Sequence, residues 1–354
     1  MPMHENSFQF LKRLLDAPGP SGFEMHPASV WREQAGKFAD DVDRDLVGSS
    51  YATLKRDGAP VVALVGHIDE IGVQITHIDD EGFLWFDKIG GWDEIVFVGQ
   101  RMRIITDDGW VIGVVGRKAA HLLKRQESGK DIKVNDLWID IGAKNAEDAK
   151  KRVQVGDAAV IDADFVQITA DVVSSRSLDN RVGAWVALET LRLLSEKRPN
   201  VEVVAVAAAQ EEISFAGAHA AGVRLSPTVA IAIDVTHCSD YPGAIKAING
   251  DVRLGNGPVL HRGSSQNPVV YRELAKAAKR LKLDLPVQAQ SGSTGTDADA
   301  LIKSGAGTAA GVVSIPNRYM HSPCELVSLS DLDNAAKLLA EFIRSITPES
   351  DFRP

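Results

Sequence analysis

The sequence predicts an α/β protein: a mixed, mostly parallel sheet sandwiched between helices, with a small all-β barrel domain inserted into it. At both ends of the chain, apolar strand-like runs alternate with amphipathic helical segments, the pattern of a parallel sheet covered on both faces. Between them, short apolar segments are separated by Gly and Asp-Gly turns, which is all-β spacing. We therefore expect an α/β domain of residues 1–70 and 165–354, interrupted by a barrel domain of residues 71–164.

The first α/β segment is predicted to contain two helices and one buried strand. Asn6 can cap a helix whose apolar residues recur at helical spacing up to Leu15. A second helix is expected at Pro27–Phe38. The continuous apolar run Val61–Gly66 predicts a central strand buried on both faces, with His67 at its C-terminal end.

The inserted segment is predicted to consist of strands and turns around one polar stretch. Lys124–Asp136 is rich in charged residues, and we expect it to be a mobile loop. Strands are expected at Val73–Ile75, Phe83–Phe86, Val96–Val98, Met102–Thr106 and Val111–Val115.

Beyond Asp171 the alternation of helices and strands returns, and with it the prediction of a sheet covered on both faces. Helices are expected at Asn180–Lys197, Ala216–Ala221, Pro268–Leu281 and Ser330–Ile346, and strands at Val201–Gln210, Val229–Ile233 and Ala309–Ile315.

Composition excludes several classes of partner. The net charge is -9 and there is no dense block of Lys or Arg, so neither nucleic acid nor an anionic membrane is an expected partner. The two cysteines, Cys238 and Cys324, cannot form a disulfide framework or a thiolate zinc site. The first residues lack a secretory signal, and no apolar run approaches the roughly 20 residues that span a bilayer. We expect a cytoplasmic protein.

Two adjacent carboxylates, Glu211 and Glu212, follow the strand predicted at Val201–Gln210. Burying unpaired carboxylates is costly, so a positive partner is expected to meet them. Ligands in open α/β sheets gather at the C-terminal ends of the strands. Four further ligand-type side chains near the ends of apolar segments are therefore expected to converge with the pair: His67, Asp179, Asp234 and His321.

This mixture of imidazole and carboxylate suits a pair of divalent cations. Zinc and cobalt accept both ligand types when no thiolate is offered. One carboxylate can bridge two ions about 3.5–4 Å apart and leave an open position for a water. A second, unligated carboxylate must take the proton of that water, and alternation at a strand end would point Glu211 and Glu212 in different directions. Asp69 is either an anchor for the His67 imidazole or only a turn residue, and Asp179 could merely cap a helix.

Six segments in order resemble the forty-second metallopeptidase family. Its members include glutamyl aminopeptidases, tetrahedral (TET) aminopeptidases and proteins once labelled endoglucanase M. The resemblance covers essentially the whole chain, including the insert. It is carried by Gly66–Gly72, Ser177–Gly183, Gln210–Glu212, Ile233–His237, Gly295–Ala298 and Arg318–Pro323.

The resemblance implies a zinc-exopeptidase-like fold and a role for each ligand-type residue. Asp179 would bridge two metal ions, with His67 and Asp234 completing one site. Glu212 and His321 would complete the other. Glu211 would be the general base, and Asp69 would orient His67. The peptide bond between Asp179 and Asn180 is expected to be cis.

The resemblance further implies a dinuclear aminopeptidase that removes N-terminal residues from short peptides through a metal-bound water. Each subunit would hold two divalent ions, zinc with cobalt or manganese as alternatives. Self-association is implied as a dimer through the barrel and as a dodecamer. The chain departs from the family pattern after the Glu pair and at Thr294, which leaves specificity open; Arg253 and Arg318 are the candidates for recognising an acidic residue.

Three alternatives to this function make different demands on the site. A metal-dependent deacylase of N-acyl amino acids could use the same ligands with a different pocket. A glycosidase would leave His67 and His321 unexplained, because most glycosidases need a carboxylate pair and no metal ligands. A catalytically idle scaffold on the same fold would have lost a ligand or the base, and all of these residues are present.

Overall fold

The computed structural model describes residues 3–122 and 132–354 of the chain. The expected cap at Asn6 is wrong, because the His4 side chain caps the first helix and accepts a hydrogen bond from the Asn6 backbone N–H. The elements before the barrel are α1 (Glu5–Asp16), α2 (Met25–Ala35), β1 (Asp41–Arg44), β2 (Ser50–Leu54) and β3 (Val61–His67).

The following segment forms a closed antiparallel barrel, in the strand order β4-β5-β8-β7-β6-β9 among the described residues. Closure removes the free edges of this small sheet, and its interior is filled by apolar side chains that include Ile75, Phe86, Ile104 and Ile139. The elements are β4 (Gly72–Ile78), β5 (Leu84–Ile89), β6 (Arg101–Thr106), β7 (Gly109–Gly116), β8 (Trp138–Asp140), α3 (Ala146–Lys150) and β9 (Ala158–Ile161).

The structure changes the expectation for one segment of the insert and describes only part of another. The strand expected at Val96–Val98 is wrong: Glu94–Phe97 is a short 3-10 helix, because the Asp93 side chain caps it by accepting from the Ile95 N–H. Of the loop expected at Lys124–Asp136, residues 124–131 lie outside the described residues, and a short 3-10 helix covers Val134–Asp136.

The remainder of the chain returns to alternating helices and strands, as predicted. Several short elements, each of two to five residues, lack the periodicity of longer ones and were not predicted from the sequence. The elements are β10 (Val166–Gln167), β11 (Val172–Ser175), α4 (Leu178–Glu196), β12 (Glu202–Ala208), α5 (Glu211–Ser214), α6 (Ala216–Leu225), β13 (Val229–His237), α7 (Lys246–Asn249), β14 (Val259–Gly263), α8 (Pro268–Arg280), β15 (Val287–Gln290), α9 (Ala298–Leu301), β16 (Ala309–Asn317), β17 (Glu325–Ser328) and α10 (Leu329–Arg344).

The predicted mixed, mostly parallel sheet is confirmed. Within the described ranges it has eight strands in the order β1-β2-β12-β3-β13-β16-β14-β15. The four central strands β12, β3, β13 and β16 are mutually parallel, while β2 and β14 join them antiparallel on either side. A second, three-stranded sheet, β10-β11-β17, lies beside the start of α4. Sequence-distant strands are thus brought side by side with their C-terminal ends at one edge.

The central strand β3 is apolar throughout because helices cover both faces of the sheet. Val62 and Leu64 point to the face that carries α1, α4 and α10. Ala63 and Val65 point to the opposite face, where they pack in a cluster with residues of α6. This is the arrangement that the continuous apolar run predicts. Among the described residues, no helix is both long and apolar enough to cross a bilayer.

Candidate metal centre

The ligand-type side chains predicted from the sequence lie together at the C-terminal edge of the central strands. His67 is the last residue of β3, and the Glu pair follows β12. Two local expectations are wrong. Glu211 and Glu212 begin the short helix α5 and do not continue the strand, and Asp234 lies inside β13, which runs on to His237. Strand pairing extends beyond the apolar run because β16 continues alongside β13 to its end.

Asp179 lies between the two histidines, and its two carboxylate oxygens face different partners. The Oδ1 atom is 3.3 Å from His67 Nε2, and the Oδ2 atom is 3.4 Å from His321 Nε2. Two groups of potential ligand atoms therefore share Asp179: one with His67 and Asp234, the other with Glu212 and His321. His67 Nε2 is 4.0 Å from Asp234 Oδ1, and His321 Nε2 is 3.6 Å from Glu212 Oε1.

The first group is supported from behind by Asp69, which is fully buried. Its carboxylate lies 3.3 Å from His67 Nδ1, on the ring side opposite Asp179. The same carboxylate accepts the Ser21 hydroxyl and the backbone N–H groups of Glu211 and Glu212, each N–H at 3.1 Å. Asp69 therefore contacts the imidazole and the backbone of the Glu pair at once.

Glu325 supports the second group, and the sequence reasoning missed it. This buried carboxylate accepts the backbone N–H of Asp179 at 2.8 Å and that of His321 at 3.0 Å. It lies at the start of β17, four residues after His321. The available signal was an acidic residue directly preceding the apolar pair Leu326 and Val327, a position that predicts burial.

The start of α4 places Asp179 against the sheet. Asp179 and Asn180 depart from helical backbone angles, and the peptide between them is cis, as the resemblance implied. The Asn180 amide donates to the Ile233 carbonyl at 2.7 Å, one residue before Asp234. A Cβ atom at Gly66 would lie 2.3 Å from the Gly183 carbonyl carbon, so the approach of α4 to β3 requires glycine beside His67.

The barrel reaches the second group through the loop after β5. A Cβ atom at Gly91 would lie 3.3 Å from the His321 ring, at both Cε1 and Nδ1. A Cβ atom at Gly90 would lie 3.4 Å from Glu212 Oε2. The Trp92 indole N–H donates to the Gly72 carbonyl at 2.9 Å, which ties this loop to the start of the barrel. Backbone of the insert thus packs directly on two ligand-type side chains.

The cluster concentrates acidic groups that the protein alone does not neutralise. Burial raises the pKa of Glu211 to about 10, with Asp234 and Asp297 adding to the shift and His67 opposing it. Burial also raises the pKa of Asp234 well above its usual value. Although burial opposes it, hydrogen bonding to Asp179 and Glu212 raises the pKa of His321 to about 11. The arrangement therefore favours bound positive charge.

The donor set fits divalent metal ions. It combines imidazole nitrogens with carboxylate oxygens, the mixture that zinc, cobalt and manganese accept. Neither cysteine belongs to the clustered groups found among the described residues. The neighbouring carboxylates lie close enough to repel one another unless a cation lies between them. The geometry and the chemistry therefore agree on a metal centre.

A cavity of about 380 Å³ opens over this centre. Thr294, the position that departs from the family pattern, lines it, as does His237. Arg253 and Arg318, the candidates for binding an acidic side chain, are not among the lining residues. Arg253 pairs with Asp251 at 2.9 Å, and Arg318 pairs with Asp240 at 2.5 Å.

Solved aminopeptidases share this fold over nearly the whole chain. The structure of a TET aminopeptidase from the marine sediment archaeon Thaumarchaeota archaeon SCGC AB-539-E09 matches with a TM-score of 0.93 and 32% identity, covering 97% of each chain. The Pyrococcus horikoshii TET1 peptidase, which can assemble into a tetrahedron or a large octahedral shell, matches with a TM-score of 0.85. It is 30% identical, over 96% of this chain and 100% of that one. The fold is therefore that of the TET aminopeptidases.

The chain belongs to the M42 glutamyl aminopeptidase family, whose model matches residues 48–338. A lysyl aminopeptidase from Pyrococcus furiosus is 31% identical over 98% of this chain and 99% of its own length. These matches define a peptidase of the hydrolase class, in a metal-dependent family.

Proposed function

We propose that this protein is a dinuclear metal-dependent aminopeptidase that removes N-terminal residues from short peptides. The observation that carries the proposal is the placement of Asp179, whose two carboxylate oxygens lie 3.3 and 3.4 Å from two different histidines. A carboxylate that faces two ligand groups is what a bridged pair of ions requires.

In this proposal His67, Asp179 and Asp234 hold one ion, and Asp179, Glu212 and His321 hold the other. Zinc suits this set best, and cobalt or manganese could replace it. When bound, the ions would polarise the scissile carbonyl and lower the pKa of a water. Two ions per subunit account for the excess of carboxylates in the cluster.

The protein's own residues supply proton transfer and positioning. Glu211, whose Oε2 atom is 3.7 Å from His67 Nε2, would take a proton from the attacking water and later return it to the departing amine. Asp69 would hold His67 in orientation while keeping the backbone of both glutamates in place. Burial of these groups excludes bulk water and strengthens their electrostatic effects.

We further propose that residues 71–164 act as an inserted barrel domain for dimerisation and substrate access, in a cytoplasmic dodecamer. The assembly of the Pyrococcus horikoshii relative supports this, as do exposed apolar side chains on the outer face of β7. Trp110, Ile112 and Val114 alternate along that strand and are 46–48% exposed. Light scattering of the purified protein is expected to give the mass of twelve chains. A smaller species would contradict the dodecamer.

The proposed chemistry is tested with a panel of aminoacyl p-nitroanilides on wild type and Glu211→Gln. Wild type is expected to be inactivated by chelator and restored by Zn²⁺ or Co²⁺. The variant should retain both ions by elemental analysis and lose about 10²–10⁴-fold in kcat, because it lacks the base. An active Glu211→Gln enzyme would contradict the assigned base.

N-acyl amino acids belong in the same panel. The deacylase alternative gains no support from the relatives compared above, which are named as peptidases. Metal-loaded wild type that cleaves N-acyl amino acids, but no substrate with a free amine, would show that the substrate class is wrong. The family is named for glutamyl aminopeptidases, whereas the Pyrococcus furiosus relative is named a lysyl aminopeptidase. Neither preference therefore transfers to this chain by family membership.

A further inference from the structure

The cavity over the metal centre extends sideways across the sheet, from β13, which carries Asp234, onto β14, β15 and β16, which carry no proposed metal ligand. Its wall there is formed by side chains of β13, β14, β15 and β16. The lining residues of this wall are Thr236, His261, Gln288, Gln290, Val312 and Ser314.

The strand register places the polar groups of this wall on one face. His261 of β14 is the direct partner of Gln288 of β15, so their side chains lie on the same side of the sheet. Gln290 lies two residues further along the same strand. The Thr236 hydroxyl donates to Gln288 Oε1 at 2.8 Å, and the Gln290 amide donates to the Ser293 carbonyl at 2.5 Å. These contacts hold both carboxamides in place.

The wall carries hydrogen-bonding groups but no fixed charge. Burial lowers the pKa of His261 to about 4, so its imidazole is neutral at physiological pH. The buried His261 Nε2 atom has no hydrogen-bond partner. Among the described residues that line the cavity there is no Lys or Arg, and every acidic side chain belongs to the metal cluster.

We infer that this wall is the pocket for the N-terminal side chain of the substrate and that it selects uncharged side chains. The inference rests on the proposed function. The specificity-determining residues would be His261, Gln288 and Gln290.

The physical reason is the cost of a desolvated charge without a partner. A lysine side chain would find only carboxylates that are already committed to metal ions. A glutamate side chain would meet no cation of the protein and would face that acidic cluster across the cavity. A carboxamide, hydroxyl or thioether can instead contact the glutamines and His261 without carrying a charge into the pocket.

The test uses two pairs of N-terminal residues that match in shape and differ in charge: glutamine against glutamate, and norleucine against lysine. Each is presented as its aminoacyl p-nitroanilide, so that release of p-nitroaniline reports removal of that residue, and is assayed with metal-loaded wild type. We expect kcat/KM to favour the uncharged member by about tenfold or more in each pair, because a charge that is desolvated without a partner costs free energy.

The outcomes separate this inference from the proposed function. Hydrolysis of none of the four substrates, with both ions bound, would contradict the aminopeptidase itself. Hydrolysis with glutamate or lysine equal to or above its uncharged partner would leave the aminopeptidase intact and overturn the neutral pocket.

A charge variant then locates the pocket. Gln288→Glu keeps an acceptor for the Thr236 hydroxyl and adds one negative charge to the wall. It should raise the lysine-to-norleucine ratio of kcat/KM by about tenfold, because an opposite charge now meets the ammonium group. The matched control, Gln154→Glu, makes the same change at an exposed position on the barrel and should leave the ratio unchanged.

Gln290→Glu provides a second test of the wall if Gln288→Glu unfolds at a lower temperature. A folded, active variant of either kind with the wild-type ratio would show that this wall does not contact the substrate side chain, and the inference would be wrong.

Discussion

The two halves of the metal centre use the same ligand types but are built differently. His67 ends a central strand, and its side chain is 2% exposed, with Asp69 behind its ring. His321 lies in a loop with a left-handed backbone, and its side chain is 35% exposed. The barrel closely approaches this second imidazole, since a Cβ atom at Gly91 would lie 3.3 Å from its ring.

This difference indicates that the sheet holds one half of the centre, while loops near the barrel and the sheet hold the other. A ligand on a packed central strand has few alternative positions, because the surrounding core is close-packed. A ligand on a half-exposed loop depends on a small number of hydrogen bonds and contacts. We therefore expect the ion on the His321 side to be released first as chelator is added. Substitutions of the groups that support each half test this asymmetry.

Asp69→Asn should cause the largest loss, because Asp69 contacts the His67 ring and also holds the backbone of the Glu pair. The neutral amide is a weaker partner for the imidazole and can no longer accept all of these hydrogen bonds. We expect about 10–100-fold weaker binding of the ion on the His67 side, with a comparable loss of kcat. Calorimetric titration of metal into the apoprotein measures the two binding steps separately.

The matched control for this variant is Asp57→Asn, at an exposed turn before β3. It should leave both binding steps unchanged. Asp69→Asn with wild-type affinity for both ions would show that the first half does not depend on the carboxylate behind its ring.

Glu325→Gln should affect the His321 half, by about tenfold in metal affinity. Glutamine can accept one of the two backbone N–H groups but presents its own N–H₂ to the other, so one buried hydrogen bond is lost. The affinity for the ion on the His321 side should fall more than the affinity for the ion on the His67 side. Chelator-induced loss of the first ion, followed with a metal-sensitive dye, checks this order.

Glu349→Gln, at an exposed position near the C-terminus, is the control for Glu325→Gln. Equal weakening of both steps would mean that Glu325 acts through the shared Asp179 and not through His321, which would remove the proposed asymmetry.

Gly91→Ala should have the smallest effect and should isolate the contribution of the barrel. The new methyl group would lie 3.3 Å from the His321 ring, so the imidazole must move by a few tenths of an ångström. We expect about threefold to tenfold weaker binding of the His321-side ion. This is a smaller loss of affinity than removal of a ligand's hydrogen-bonding partner causes. Gly36→Ala, at a helix end with an ordinary negative φ, places its methyl group no closer than 3.6 Å to its neighbours and should change nothing at the site. Unchanged affinity in Gly91→Ala would show that the barrel does not position His321.

The sequence was informative wherever the signal was local. The apolar runs at β3, β12, β13 and β16 predicted the central parallel strands, because burial on both faces requires such runs. The same logic placed His67 and the Glu pair near one edge. Local signals were weakest for short elements: the pattern predicts a strand end at Glu211 and Glu212, where the short helix Glu211–Ser214 begins.

The tertiary structure was needed for everything that depends on which segments become neighbours. The support that Glu325 gives to two ligands joins residues 146 and 4 positions apart in the chain. The contact of Gly91 with His321 crosses from barrel to sheet, and the neutral wall at His261 and Gln288 arises from two strands that pair at the sheet edge. None of these neighbours has a periodicity or a spacing that a sequence pattern could reveal.

By itself, the sequence determined the fold class, the family resemblance and the chemical identity of the ligand-type residues, since burial patterns and side-chain chemistry are properties of individual segments. Only the tertiary structure decided that the two Asp179 oxygens face separate histidines, which groups support each half, and which uncharged side chains line the cavity. Those outcomes follow from the lateral order of the strands and the packing of the barrel on the sheet, which are set by the free energy of the whole folded chain.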